Sequence, residues 1–112
     1  MLEEKQEICG LIDVYGRLLT EKQLDIMEEY FYNDLSLSEI AEKLQITKQA
    51  VKDAIDKAKH TLEKYESVLH LDEKRKAFYK LVSCKEKIAK EEYILQLEKL
   101  FKEWEKWQFF QI

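Results

Sequence analysis

The stretch Leu37-Ser38-Glu39-Ile40-Ala41-Glu42-Lys43-Leu44-Gln45-Ile46-Thr47-Lys48-Gln49-Ala50-Val51 decides the fold. Two short helices that meet across a tight turn need a small residue where they cross, apolar residues on both sides of the turn, and a β-branched anchor on the second helix. Ala41, Leu44 with Ile46, and Val51 fill those places, which is the pattern of a helix-turn-helix. An ordinary helical hairpin is the other reading of the same spacing. Ser36-Leu37-Ser38-Glu39 is a capping box that opens the first helix, and Thr47 is placed to cap the second. The helix beginning at Thr47 is the recognition helix, whose first residues face a major groove when such a motif reads DNA. Gln45 stands where a glycine is common. It either takes a left-handed backbone, at roughly 1 kcal/mol, or the turn adopts another geometry.

Upstream, Ile8, Leu11, Ile12 and Tyr15 follow the i, i+3, i+4, i+7 pattern of an amphipathic helix over 3–15, and Gly16 suits a left-handed position at its end. Thr20-Glu21-Lys22-Gln23 is a second capping box, predicting a helix over 20–32 with Leu24, Met27, Tyr30 and Phe31 inward. Asn33 and Asp34 end it, and the helix over 36–44 turns Ile40, Ala41 and Leu44 inward. Downstream, Ala50, Val51, Ala54, Ile55, Ala58, Leu62 and Tyr65 form the apolar face of a helix over 47–65. The periodicity blurs over 66–71, which predicts a kink or short loop, and Asp72-Glu73 is a suitable new helix start. From 72 to 108 the pattern fits one helix or two, with the polar stretch 89–92 able to hold a turn. Within it Tyr93, Leu97, Leu100, Trp104 and Trp107 are spaced like a coiled-coil seam, widened by Ile94, Leu95 and Phe101. The expected architecture is all-α: a helix-turn-helix domain at 1–66 and a C-terminal helical arm at 67–112. So broad an aromatic stripe exceeds what a small helical core covers. Either the arm self-associates as a homodimer through Tyr93, Leu97, Leu100, Phe101, Trp104 and Trp107, or it folds back on the first two helices.

Composition excludes several alternatives. With 112 residues, 46% of them hydrophobic, the chain has material for one small domain with an added arm. No proline and only Gly10 and Gly16 leave it without the turn residues of a β-sandwich or a glycine-rich phosphate loop. The net charge is −4, whereas an autonomous nucleic-acid-binding domain is usually basic. Residues 1–35 carry 3 basic and 9 acidic groups, so the acidity is concentrated in the first two helices. Cys9 and Cys84 have neither metal-site nor disulfide-framework spacing and read as reduced thiols. His60 and His70 share no helical face and read as solvated or capping residues rather than ligands. Asp72-Glu73 and Lys74-Arg75-Lys76 read as helix-end charges on a solvated face, and the basic trio is the best surface candidate for RNA phosphate. No nucleophile, base and orienting group assemble, so neither an enzyme nor a cofactor or metal is expected. The acidic start, Met1-Leu2-Glu3-Glu4, and the lack of an apolar run near the roughly 18 residues of a membrane span predict a cytoplasmic protein with no membrane partner.

Leu19 through Gln23, Leu37-Ser38-Glu39-Ile40-Ala41, Lys48-Gln49-Ala50-Val51 and Leu62-Glu63-Lys64-Tyr65-Glu66 together resemble sigma-factor region 4. More closely they resemble the YlxM-like family of small bacterial helix-turn-helix proteins. That family is associated with the signal recognition particle pathway through the neighbourhood of its genes. The resemblance covers 8–71 and extends to the arm only in character. It implies an all-helical, dimeric regulator of that pathway, with the particle's protein or RNA as partner, of a kind often described as DNA-binding. In the recognition helix the residues placed for nucleic acid are Thr47, Lys48, Gln49, Lys52 and Lys57, where Gln49 is able to read an adenine edge. Asp53 and Asp56 offset them, Ala54 stands where sigma-like relatives often carry a basic side chain, and no arginine lies between Arg17 and Arg75 to grip a guanine. DNA binding is therefore expected to be weak. The motif serves either as a scaffold for macromolecules of the targeting pathway or as a transcriptional regulator's DNA reader.

Overall fold

Three hydroxyl caps set the helix starts. Thr20 Oγ1 accepts from the Gln23 N–H at 3.1 Å while Gln23 reaches back to the Thr20 N–H at 3.2 Å. Ser36 and Glu39 repeat that box with both bonds at 3.1 Å, and Thr47 Oγ1 accepts from the Ala50 N–H at 3.0 Å. Each bond satisfies a backbone donor that the first helical turn leaves without a partner. The computed structural model describes the backbone of residues 2–84 and 89–111 and the side chains of 3–83 and 89–103. Its helices are α1 (Leu2–Tyr15), α2 (Glu21–Phe31), α3 (Leu37–Leu44), α4 (Lys48–Leu69), α5 (Leu71–Cys84) and α6 (Lys90–Gln111), with a 3-10 turn at Gly16–Leu18. Among the described residues there is no strand, and the fold is an all-α helix-turn-helix.

The chain divides into two compact units, Met1–Asp72 and Glu73–Ile112. In the first, α1, α2 and α3 pack on α4 around Ile8, Leu11, Ile12, Tyr15, Ile26, Met27, Phe31, Ile40, Ala41, Val51, Ile55, Ala58 and Leu62, all buried. Burying such side chains stabilises the unit by about 1.5–3 kcal/mol each for the larger aliphatics. The turn between α3 and α4 closes as a Schellman motif, with the Ile46 N–H on Ala41 O at 3.0 Å and the Gln45 N–H on Glu42 O at 3.3 Å. Gln45 takes the left-handed backbone (φ 56°, ψ 44°), so the first of the two geometries open to it is realised. Asp34 does the same (φ 57°) in the turn after α2, where a short polar side chain tolerates that region.

Several expectations are corrected. Gly16 is not left-handed: it opens the 3-10 turn and is buried. A Cβ there would stand 3.1 Å from Leu24 Cδ1 and 3.3 Å from Ile12 Cγ2, so the glycine permits close packing rather than a special φ. Tyr30, Leu44 and Ala50 lie at the solvent edge of their helices, while Ile26 is fully buried. Tyr30 still sets its ring edge-on against Phe31 at 5.0 Å. Helix α4 runs to Leu69 rather than 65, and the break is a single residue, His70, with φ 51° and ψ 29°. Beyond it the described residues form two helices, and Ala89 lies outside both while Lys90 opens α6.

In the second unit, Phe78 of α5 meets Phe101 of α6 edge to face, ring centroids 5.9 Å apart, and Lys74 Nζ pairs with Glu103 at 3.4 Å. Leu81 is buried.

Candidate nucleic-acid or partner interface

Helix α4 positions every residue singled out for nucleic acid except Thr47, whose hydroxyl is engaged as its cap. Lys48, Gln49, Lys52 and Lys57 are all exposed. At about 100° per residue, Lys48 and Lys52 fall on one flank of the helix and Lys57 about half a circumference away from Lys48. Val51, Ile55, Ala58 and Leu62 fix the inward direction, so the line pointing farthest from the core runs through Gln49, Asp53 and His60, with Asp56 on one side of it and Lys57 equally far to the other. The structure therefore brings Lys48 and Lys52 together and leaves Lys57 apart. Gln49 Nε2 donates to Asp53 Oδ1 at 2.9 Å, so its amide is held against its own helix. A reading glutamine must release that bond before it meets a base, and a phosphate approaching the ridge meets the Asp53 carboxylate, with Asp56 on one side and Lys57 on the other.

Beside Lys52 lies a groove of about 630 Å³ lined by parts of α1, the turn after α2, and α4. Ion pairs Lys5–Asp34 and Lys59–Glu4 stand at this groove, the latter at 2.8 Å. The hydrogen bond and charge of Lys59 hold the Glu4 carboxyl below its ordinary pKa, and Glu4 raises that of Lys59. These lysines are already neutralised. The basic trio at 74–76 is likewise no open patch, because Lys74 pairs with Glu103 and Arg75 is half-buried.

Of the residues expected at an interface on the arm, Tyr93, Leu97 and Leu100 are half-buried and Phe101 is 50% exposed. Leu100 lines a groove with Leu81, Lys99 and Gln96 inside the second unit, and Ile94 and Leu95 are exposed. The side chains of Trp104 and Trp107 lie outside the described residues.

Residue patterning missed one polar cluster. Tyr15, 1% exposed, donates its hydroxyl to Glu66 Oε1 at 2.5 Å and accepts the Leu71 N–H at 3.0 Å; the same Glu66 oxygen accepts the Asp72 N–H at 3.0 Å. Burial, then the Glu66 hydrogen bond, push the Tyr15 hydroxyl up to about 12. The available signal was a tyrosine on the buried stripe of α1, since a buried phenol finds a polar partner. Asp72, read as a solvated helix-end charge, is buried.

Among the described residues no group of three His, Cys, Asp or Glu side chains is placed to hold a metal ion, and no helix is long and apolar enough to cross a membrane. Comparison with known proteins places this arrangement. A family model, UPF0122, with the description "Putative helix-turn-helix protein, YlxM / p13 like", matches residues 2–106. A UPF0122 protein of Fusobacterium nucleatum is 41% identical over 92 residues, 81% of this chain and 89% of that one. One from Clostridium botulinum is 42% identical over 106 residues, covering 88% and 97% of the two chains. One from Bacillus thuringiensis is 41% identical over 95 residues, covering 84% and 86%. With its two capped helices joined at Gln45 and a match that runs from the first helix into the last, the chain belongs to the UPF0122 family of YlxM / p13-like helix-turn-helix proteins.

Proposed function

We propose that this chain is a non-enzymatic cytoplasmic regulator whose helix-turn-helix is an interaction scaffold, and that it acts in signal recognition particle protein targeting by binding the particle's protein or RNA. The assignment to that pathway rests on the resemblance to YlxM-like proteins. The scaffold reading rests on one observation: the outermost line of the recognition helix is Gln49 bonded to Asp53, with Asp56 beside it. That surface sets the Asp53 carboxylate at its centre and holds back its one base-reading amide. A protein or an RNA loop makes no such demand, because it is recognised by shape, stacking and isolated ion pairs. The arm supplies self-association through the seam of Tyr93, Leu97 and Leu100. Capture from native lysate with and without nuclease tests the reading: the particle's GTPase or its RNA should be retained. Recovery of a single DNA sequence bound at nanomolar concentration and physiological salt would replace it with a transcriptional regulator working through Lys48, Gln49 and Lys52.

A further inference from the structure

The segment Glu66-Ser67-Val68-Leu69-His70-Leu71-Asp72 contains neither glycine nor proline, yet the helix stops at Leu69 and restarts at Leu71. The blurred periodicity permits a break here without requiring one, since each of these residues is acceptable within a helix. The break also places His70, a residue with a Cβ, in the left-handed region at φ 51°. In an uninterrupted helix the N–H groups of Leu71 and Asp72 would donate to the carbonyls of Ser67 and Val68. Here they donate instead to Tyr15 Oη and Glu66 Oε1, each at 3.0 Å, and Tyr15 and Glu66 are themselves joined at 2.5 Å. The Tyr15 ring is held in turn by stacking on Tyr65, centroids 6.0 Å apart. Two side chains far apart in sequence thus replace two helical hydrogen bonds, one for one.

We propose that residues 67–72 form a two-state helix junction within the first unit, exchanging between this broken form, held by Tyr15 and Glu66, and one in which α4 runs unbroken through Asp72. Tyr15 belongs to the core of the first unit, α4 is the recognition helix, and α5 continues into the second unit. A partner that binds the first unit and prefers one helix form therefore shifts the junction by its difference in affinity for the two forms.

Nuclear magnetic resonance on the full chain reads the junction directly. A continuous helix shows Hα–HN contacts of i to i+3 and i to i+4 running unbroken through 67–72, and a left-handed residue 70 interrupts them. The unsubstituted protein should show the interruption. Tyr15→Phe combined with His70→Ala removes the side-chain acceptor and penalises the left-handed backbone, so the contacts should become continuous. Tyr15→Phe combined with His70→Gly should restore the break, because glycine takes φ > 0 freely. Persistence of the break in the Tyr15→Phe, His70→Ala protein overturns the proposal. If that protein does not fold, His70→Ala alone decides: relaxation dispersion at the Leu71 and Asp72 amides should report exchange into the continuous form, and flat profiles refute it.

Discussion

Replacing Asp53 by alanine should strengthen DNA binding while leaving it weak and unselective. The carboxylate has two effects at the recognition surface: it holds the Gln49 amide at 2.9 Å, and it repels phosphate. A carboxylate about 6 Å from a phosphate in water opposes it by roughly 0.7 kcal/mol, so its removal should raise affinity about threefold. The ceiling comes from the lysines. Lys48, Lys52 and Lys57 are the exposed cations along the first half of α4, and Lys57 sits on the far flank, so at most three phosphates are neutralised. Counterion release then gives a slope of log affinity against log salt of about −2.7. Raising salt from 50 to 200 mM should cost about 40-fold, against about a thousandfold or more for a protein making six contacts. Fluorescence anisotropy on duplexes of randomised sequence measures both quantities. A slope steeper than about −5, or an Asp53→Ala protein that binds no better than its parent, would refute the reasoning, because more of the surface would then touch phosphate than these side chains permit.

Thr47→Ala removes the hydroxyl that satisfies the Ala50 N–H and should cost about 1 kcal/mol in urea unfolding; an unchanged midpoint would show that water replaces the cap fully. Burial and the Glu66 hydrogen bond raise the Tyr15 hydroxyl from 10.0 to about 12, so its contribution is intact below pH 10 and is lost as pH rises through 12. That loss is on the order of 2–3 kcal/mol, and Tyr15→Phe should flatten the stability profile between those values. Leu97→Asp together with Leu100→Asp should convert a dimer into a monomer whose first unit keeps its helical content, as read by light scattering and circular dichroism; an unsubstituted protein monomeric at every concentration would end the dimer reading.

The helix starts of the first unit were legible because their causes are local. A hydroxyl three residues ahead of a glutamine or glutamate satisfies orphan N–H groups whatever the rest of the chain does, and Thr20 and Ser36 mark their helices accordingly. Inward faces were legible at their centres, as at Ile8, Leu11, Ile12 and Tyr15, and failed at their edges. Whether Tyr30, Leu44 or Ala50 meets solvent depends on where the neighbouring helix ends, which periodicity does not carry. Gly16 shows a right residue with a wrong cause: helix-end glycines commonly serve backbone freedom, whereas this one yields space to Leu24 and Ile12 from other turns of the fold.

The recognition surface was half legible for a related reason. The charges of α4 were countable, and a glutamine four residues before an aspartate is a helical neighbour able to bond it. Which of the lysines share a face follows from their spacing, but how far each points from the core follows only once the buried stripe has fixed the helix's rotation. The junction at His70 was legible as a break, from the blurred periodicity over 66–71 and the helix start at Asp72-Glu73, but its left-handed backbone was not. Its left-handed backbone is set by a phenol 56 residues from the amide it accepts. Glu66, one of the two side chains that hold the break, lies in the segment itself, whereas Tyr15 leaves no trace there. Held by side chains, the junction is adjustable: a break written in glycine or proline persists whatever binds, whereas one written in Tyr15 and Glu66 lasts only while those two side chains stay in place.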